Sequence, residues 1–261
     1  MNEKLKLEEK YERIKDLRPI DDVFFEVLAD DTEVCEEILR TILEDPALTV
    51  EDVIVQSSER NLYGRSVRLD ALCTLGDGTK CNIEVQRSNN DNHLKRVRFN
   101  AASITVKDSD VGERFEDVLE LYIVYISEFD IFREGQTIYH VEKVLRETGT
   151  VVDDGLHEIF VNTKIDDGSD ISDLMSCFTK KEFYNAKFPK LSSRAKELKS
   201  TEGGASVMSE VMEKLLAEGR EEGREEGKKS QLIELVKEGL LQIDTAAQKA
   251  GMSVEEFKKL L

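Results

Sequence analysis

Apolar residues recur along this chain at two different periods, and the changes of period mark its elements. After Pro19, residues Val23, Phe24, Val27 and Leu28 fall at helical spacing. Pro19 suits a helix start, where its missing N–H costs little. Val34, Ile38, Leu39 and Ile42 predict a second helix over Thr32 to Leu43, which Pro46 ends. The period then drops to two. Val53 and Val55 alternate with polar residues in a short first strand. Over 66–75 the residues Val67, Leu69, Ala71, Cys73 and Leu75 share one face, and over 79–86 Cys81, Ile83 and Val85 do so. Gly76, Asp77 and Gly78 lie between these runs and form a turn signal, so 66–86 reads as a hairpin.

The helical period returns over roughly 92–107, with Leu94, Val97, Ala101 and Ile104 as its stripe. Residues 119–127 are almost continuously apolar, as expected of a central strand buried on both faces. Strand-like pieces follow at 137–145 and 157–162, then a helix near 170–177. Beyond about 180 the character changes. The stretch 218–230 has glycine at 219, 223 and 227, and each helical glycine costs about 1 kcal/mol relative to alanine. Like charges at Glu221–Glu225 and Glu222–Glu226 add to that penalty. The reading is a charged lead-in at 1–18, one domain at 19–180, a linker and weakly helical segment at 181–230, and a helical hairpin at 231–261. In that hairpin Asp244 would cap one helix and Gly251 would stop it. Ser253 with Glu256 would form a capping box for the next.

The polar face of the strand hairpin carries the candidate chemistry: Arg68, Asp70, Asn82, Glu84 and Gln86. Pairing centred on Asp77 sets opposite one another the residues whose numbers sum to 154, so Asp70 faces Glu84, Arg68 faces Gln86 and Cys73 faces Cys81. Other even sums move each partner by two residues and keep both carboxylates on one face. Two carboxylates at roughly 5 Å repel and weaken a sheet. A divalent cation between them reverses that sign, and one or two carboxylates completed by water and phosphate is the oxygen set that Mg²⁺ prefers. The plain alternative is a solvated hairpin face. A helix and an apolar strand follow, and they argue that this face is covered, where buried carboxylates need a reason.

Composition narrows the classes. The net charge is −18, with 35% charged and 39% hydrophobic residues, which speaks against a protein that coats nucleic acid non-specifically. A basic segment survives within it: 87–107 holds Arg87, Lys95, Arg96, Arg98 and Lys107 against one acid, Asp91. These are candidate phosphate contacts, or an ordinary solvated helix face. No apolar run is long enough to span a membrane. No secretory leader opens the chain, so cytoplasmic location with reduced thiols is expected. The cysteines at 35, 73, 81 and 177 and the histidines at 93, 140 and 157 show no zinc-ligand spacing. The Phe24/Phe25 pair reads as core packing.

The order helix, strand, strand, strand, helix, strand, together with the stretches PIDDVFFEVL (19–28), RLDAL (68–72), NIEVQ (82–86) and HLKRVRFNAA (93–102), resembles the PD-(D/E)xK nuclease superfamily. Within it the chain is most similar to the Rpn branch of recombination-promoting nucleases and transposases, over about residues 17–180. The resemblance implies a restriction-endonuclease-like α/β fold with an αβββαβ core and a mixed sheet. It also implies metal-dependent hydrolysis of DNA, linked to recombination. Asp70 and Glu84 would hold Mg²⁺, with Mn²⁺ as the substitute, helped by the backbone carbonyl of Val85. Asp22 would complete the shell through water, although a negative charge there also suits a helix N-terminus. Gln86 replaces the usual lysine. It can orient water but supplies no charge, so Arg96 or Arg98 would have to. Two other readings stay open: a catalytically weak or inactive DNA-binding module on the same fold, and an interaction protein that forms a homo-oligomer through its helical tail.

Overall fold

The computed structural model describes residues 12–59, 67–89, 92–112 and 114–261. The lead-in at 1–11, Ser66 and Asp91 lie outside these, so expectations that fall on them stay as stated. The described part of the lead-in is helical over 12–16 and seats Ile14 in the core. The chain divides into two units, 1–209 and 210–261.

The first unit is a mixed α/β fold around a six-stranded sheet, as expected. Helices α1 (Asp22–Ala29) and α2 (Thr32–Ile42) precede strands β1 (Val50–Glu59), β2 (Val67–Leu75) and β3 (Lys80–Gln86). Helix α3 (His93–Asp108) crosses over to β4 (Leu121–Ser127), and β5 (Ile138–Val141) and β8 (Leu156–Asn162) complete the sheet. Between the last two, β6 (Lys143–Val144) and β7 (Val151–Val152) make a separate ribbon. The order is β1-β2-β3-β4-β8-β5. The first three strands form an antiparallel meander, β3, β4 and β8 run parallel, and β5 returns antiparallel at the edge. Helices α4 (Asp170–Phe178) and α5 (Pro189–Ser200) follow.

Each face of the sheet is covered, which explains the patterns. Strand β4 is apolar on both sides because Ile123, Val124, Tyr125 and Ile126 are all fully buried. On one face α3 lays Val97, Ala101 and Ile104 against Leu72, Ile123 and Tyr125. Phe24 and Phe25 are fully buried, so the aromatic pair is core. Cys73 pairs with Cys81 across the hairpin, and all four cysteines are buried free thiols. The turn closes through the Gly78 N–H on the Leu75 carbonyl, 2.9 Å, and Gly78 takes φ +88°, which a Cβ would oppose.

Five expectations differ. Leu94 is 48% exposed, and His93, 5% exposed, takes its place on the buried stripe of α3. The spacing His93, Val97, Ala101, Ile104 is the truer helical row, and the imidazole is polar only at its tip. The first strand is ten residues long, not short, because β2 pairs with it along its whole length. The piece at 137–145 breaks into β5 and β6. Helix α6 (Glu202–Lys237) runs without a break through the stretch read as weakly helical linker. The glycines lower helix propensity there without ending the helix, because no proline or left-handed residue interrupts its 36 residues and most of the others are good helix formers. In the second unit, helices α7 (Ile243–Lys249) and α8 (Val254–Lys258) gather Ala246, Ala247 and Phe257 into a small core with Leu232, Ile233 and Val236. The Ser253–Glu256 capping box is present, Gly251 stands at φ +68°, and Asp244 lies in the first turn of α7 while Gln242 holds the cap position.

Candidate active site

Alternation along β2 and β3 places the candidate carboxylates. The pairs Ala71–Ile83, Leu72–Asn82, Cys73–Cys81 and Thr74–Lys80 all follow the register centred on Asp77. One step further out, the two acids lock together through the backbone: the Asp70 N–H donates to Glu84 Oε1 at a long 3.4 Å, and the Val85 N–H donates to Asp70 Oδ2 at 2.9 Å. Asn82 Nδ2 donates to Glu84 Oε1 at 2.8 Å. Asn82 Oδ1 is buried with no hydrogen-bond partner.

The environment works against charge on both acids. Glu84 is 3% exposed. Burial pushes its pKa up to about 7, against the hydrogen bonds from Asn82 and the Asp70 backbone and the attraction of Arg96. Burial first, and then the Glu84 charge, hold Asp70 well above the ordinary carboxylate range. Asp22, at the exposed rim on α1, is raised by burial and by Asp21 against Arg96 and Arg87, and its charge adds to the upward push on Asp70 and Glu84.

Gln86 ends β3 between two partners: its Oε1 accepts from Arg96 Nη1 at 2.9 Å and its Nε2 donates to the Ser88 carbonyl at 3.0 Å. The fold therefore draws Arg96 of α3 to the position next to the carboxylate pair. Lys95 and Arg98 are exposed on the same helix. Arg87 is engaged elsewhere, with Nη1 2.6 Å from Asp21 Oδ1 and Nε donating to Glu128 Oε2 at 3.3 Å. Arg18 clasps Glu128 through both amino groups, at 2.5 and 3.2 Å. This network stands just past the carboxyl ends of β3 and β4, where open parallel sheets bind their ligands.

His93, one of three scattered histidines by sequence, is buried behind the site. Its Nδ1 lies 2.9 Å from the Tyr125 hydroxyl, and its Nε2 3.2 Å from Asn89 Oδ1. Tyr125 is the neighbour of Glu84 across the parallel pair. Helical spacing from Val97 was the signal that would have found it.

The donor set suits a hard divalent cation. Two carboxylates share one covered face, burial raises the pKa of both, and among the described residues a polar oxygen beside them lacks a donor. Among the described residues no three histidine, cysteine or acidic side chains converge to hold a metal by themselves. A cation here would draw its other ligands from water, backbone and substrate, as Mg²⁺ commonly does. Among the described residues no helix is long and apolar enough to cross a membrane.

A family model described as PD-(D/E)XK nuclease family transposase matches residues 20–170, from α1 to the start of α4. Searches of curated proteins and of solved structures each returned no match.

Proposed function

Since this chain belongs to the PD-(D/E)XK nuclease family transposases, we propose that it is a metal-dependent deoxyribonuclease that hydrolyses DNA phosphodiesters at the Asp70–Glu84 face. The observation that carries the reading is the pairing itself: two carboxylates interlocked on adjacent strands, Glu84 buried and Asp70 half-buried, each bonded to the other's strand. Asp70 and Glu84 would hold the metal, Mg²⁺ or Mn²⁺, with the Val85 carbonyl as backbone ligand and Asp22 joined through water. When bound, such a cation supplies positive charge to the scissile phosphate and activates the attacking water.

The remaining roles fall to residues that the fold has gathered. Arg96 is a permanent cation next to Gln86, and it takes up the charge stabilisation that lysine would give in place of Gln86. Gln86, held at both ends of its amide, keeps a second lone pair on Oε1 with which to orient a water. Arg87, Lys95 and Arg98 are phosphate contacts. Arg87 reaches DNA by exchanging Asp21 and Glu128 for phosphate oxygens, and Lys95 and Arg98 do so from the exposed side of α3. Breaking a strand by hydrolysis is the step that these residues support, and in a cell it would feed recombination.

Plasmid nicking tests the reading. Purified protein with Mg²⁺ or Mn²⁺ should convert supercoiled DNA to nicked circles, and EDTA should stop it. Asp70→Ala and Glu84→Ala should each reduce the rate by at least about 10³-fold, a loss of the order seen when transition-state charge stabilisation is removed, while circular dichroism stays native. Cutting retained in either variant would sink the site assignment.

A further inference from the structure

Among the described residues, Asn82 is the one polar side chain that is bonded to the carboxylate pair and to which the proposed chemistry gives no role. It is fully buried, and its Nδ2 donates to Glu84 Oε1 at 2.8 Å. That contact leaves Oδ1 of the same amide buried and unpaired. A buried acceptor without a donor is costly. Leucine in the same volume would avoid the penalty and would suit a position opposite Leu72 in a core that already holds Ile123 and Tyr125.

With Nδ2 inward, the side chain offers a donor to Glu84, and an ionised carboxylate only accepts. The opposite flip would set two acceptors against each other. The contact also commits Oε1. It receives the Asn82 amide and, at longer range, the Asp70 backbone N–H. No bond of this kind reaches Oε2 among the described residues. Asn82 thus orients one carboxylate oxygen and leaves the other for an external ligand. Partners of this kind behind a ligating group typically affect metal affinity 10–100-fold.

On the reading of Asp70 and Glu84 as the metal-holding pair, we propose that Asn82 is a positioning residue for the cation: it fixes Glu84 through Oε1 and keeps Oε2 turned to the metal.

Calorimetric titration of the full chain with MnCl₂ tests this, because it reads the site without DNA or turnover. Four proteins are compared: the native chain, Asn82→Leu, Glu84→Gln, and Val97→Ala as a packing control in the helix over the same face. The native chain should bind Mn²⁺, and Glu84→Gln should abolish that binding. Asn82→Leu should weaken it about 10–100-fold, and Val97→Ala should leave it within about twofold. Nicking by Asn82→Leu should return toward the native rate as Mn²⁺ is raised, a recovery that a merely structural defect would not show. Should Asn82→Leu fail to fold, Asn82→Ser removes the long donor with less added apolar bulk and is held to the same outcome. Native affinity in the Asn82 variant overturns the positioning role alone. A native chain that binds no Mn²⁺, or one whose binding survives Glu84→Gln, overturns the metal-site reading and this inference with it. Equal weakening in the Asn82 and Val97 variants reduces Asn82 to a packing residue.

Discussion

Ionising Glu84 in the folded chain is harder than in an unfolded one, because the carboxylate gives up water for a covered sheet face shared with Asp70. Its folded pKa of about 7 stands above the ordinary 4.5. Below about 4.5 it is protonated in both states and affects stability little. As pH rises, the unfolded chain releases this proton first, and the metal-free fold loses stability until the pH passes about 7. Asp70 shifts in the same direction. The melting temperature of metal-free protein should therefore fall between about pH 5 and about pH 8, and Glu84→Gln should flatten that slope. A variant that melts with the native slope would remove Glu84 from this account. Added Mg²⁺ should raise the melting temperature more at the alkaline end, since the cation needs ionised ligands. Under the proposed function, Arg96 is the second residue on which activity would depend. Arg96→Met should slow nicking about 10²-fold through loss of one stabilising charge, with Arg96→Lys recovering part of it. An Arg96→Met enzyme at full rate would return the missing charge to some other group.

At the scale of elements, glycine has opposite meanings in the turn and in the long helix. Gly78 stands at φ +88° with open space around it, so the cost of a Cβ there is backbone strain alone. Gly78→Ala should destabilise the first unit by about 1 kcal/mol, measured by urea unfolding, with Gly78→Asn costing less. Gly227 also has open space but sits inside α6. Gly227→Ala should stabilise that helix by up to about 1 kcal/mol, seen as slower amide exchange through the surrounding turns. Faster exchange would mean that a contact at this glycine outweighs its propensity. The hairpin and α3 were legible because each carries a period over many residues, and β4 because it is almost continuously apolar. Leu94 misled because a single apolar residue at the right offset imitates a stripe; its neighbour His93 has the better row.

At the scale of the molecule, the two units allow a direct separation of roles. A chain ending at residue 209 retains Ala205 and Met208, which are buried at the start of α6. It should fold and should nick DNA in Mg²⁺ at a rate within about threefold of the native chain. The proposed homo-oligomer through the C-terminal segment should then appear in the full chain and vanish in the truncated one, read by light scattering. An inactive but folded truncation would give the tail a part in cleavage. The net charge of −18 makes local arrangement decisive for DNA. Under the proposed function, attraction to DNA comes from Arg96, Arg98, Lys95 and Arg87, so activity should fall steeply with added salt.

By itself the sequence determined which faces of the hairpin pair. A period of two with a short glycine turn allows few pairings, and only even sums keep apolar faces together, so Asp70 and Glu84 had to share a face. The same local rules gave the limits of α2, α3 and α4 and the capping box. Tertiary structure alone decided what surrounds that face. Asp21 and Glu128 reach Arg87 from distant parts of the chain, Arg18 binds the same Glu128, Tyr125 meets His93 across the α3 crossover, and Arg96 rather than Arg98 turns to Gln86. A period shows which side of an element is buried; which residues cover it, and so which charges are paired and which carboxyls are desolvated, is settled only when the layers pack.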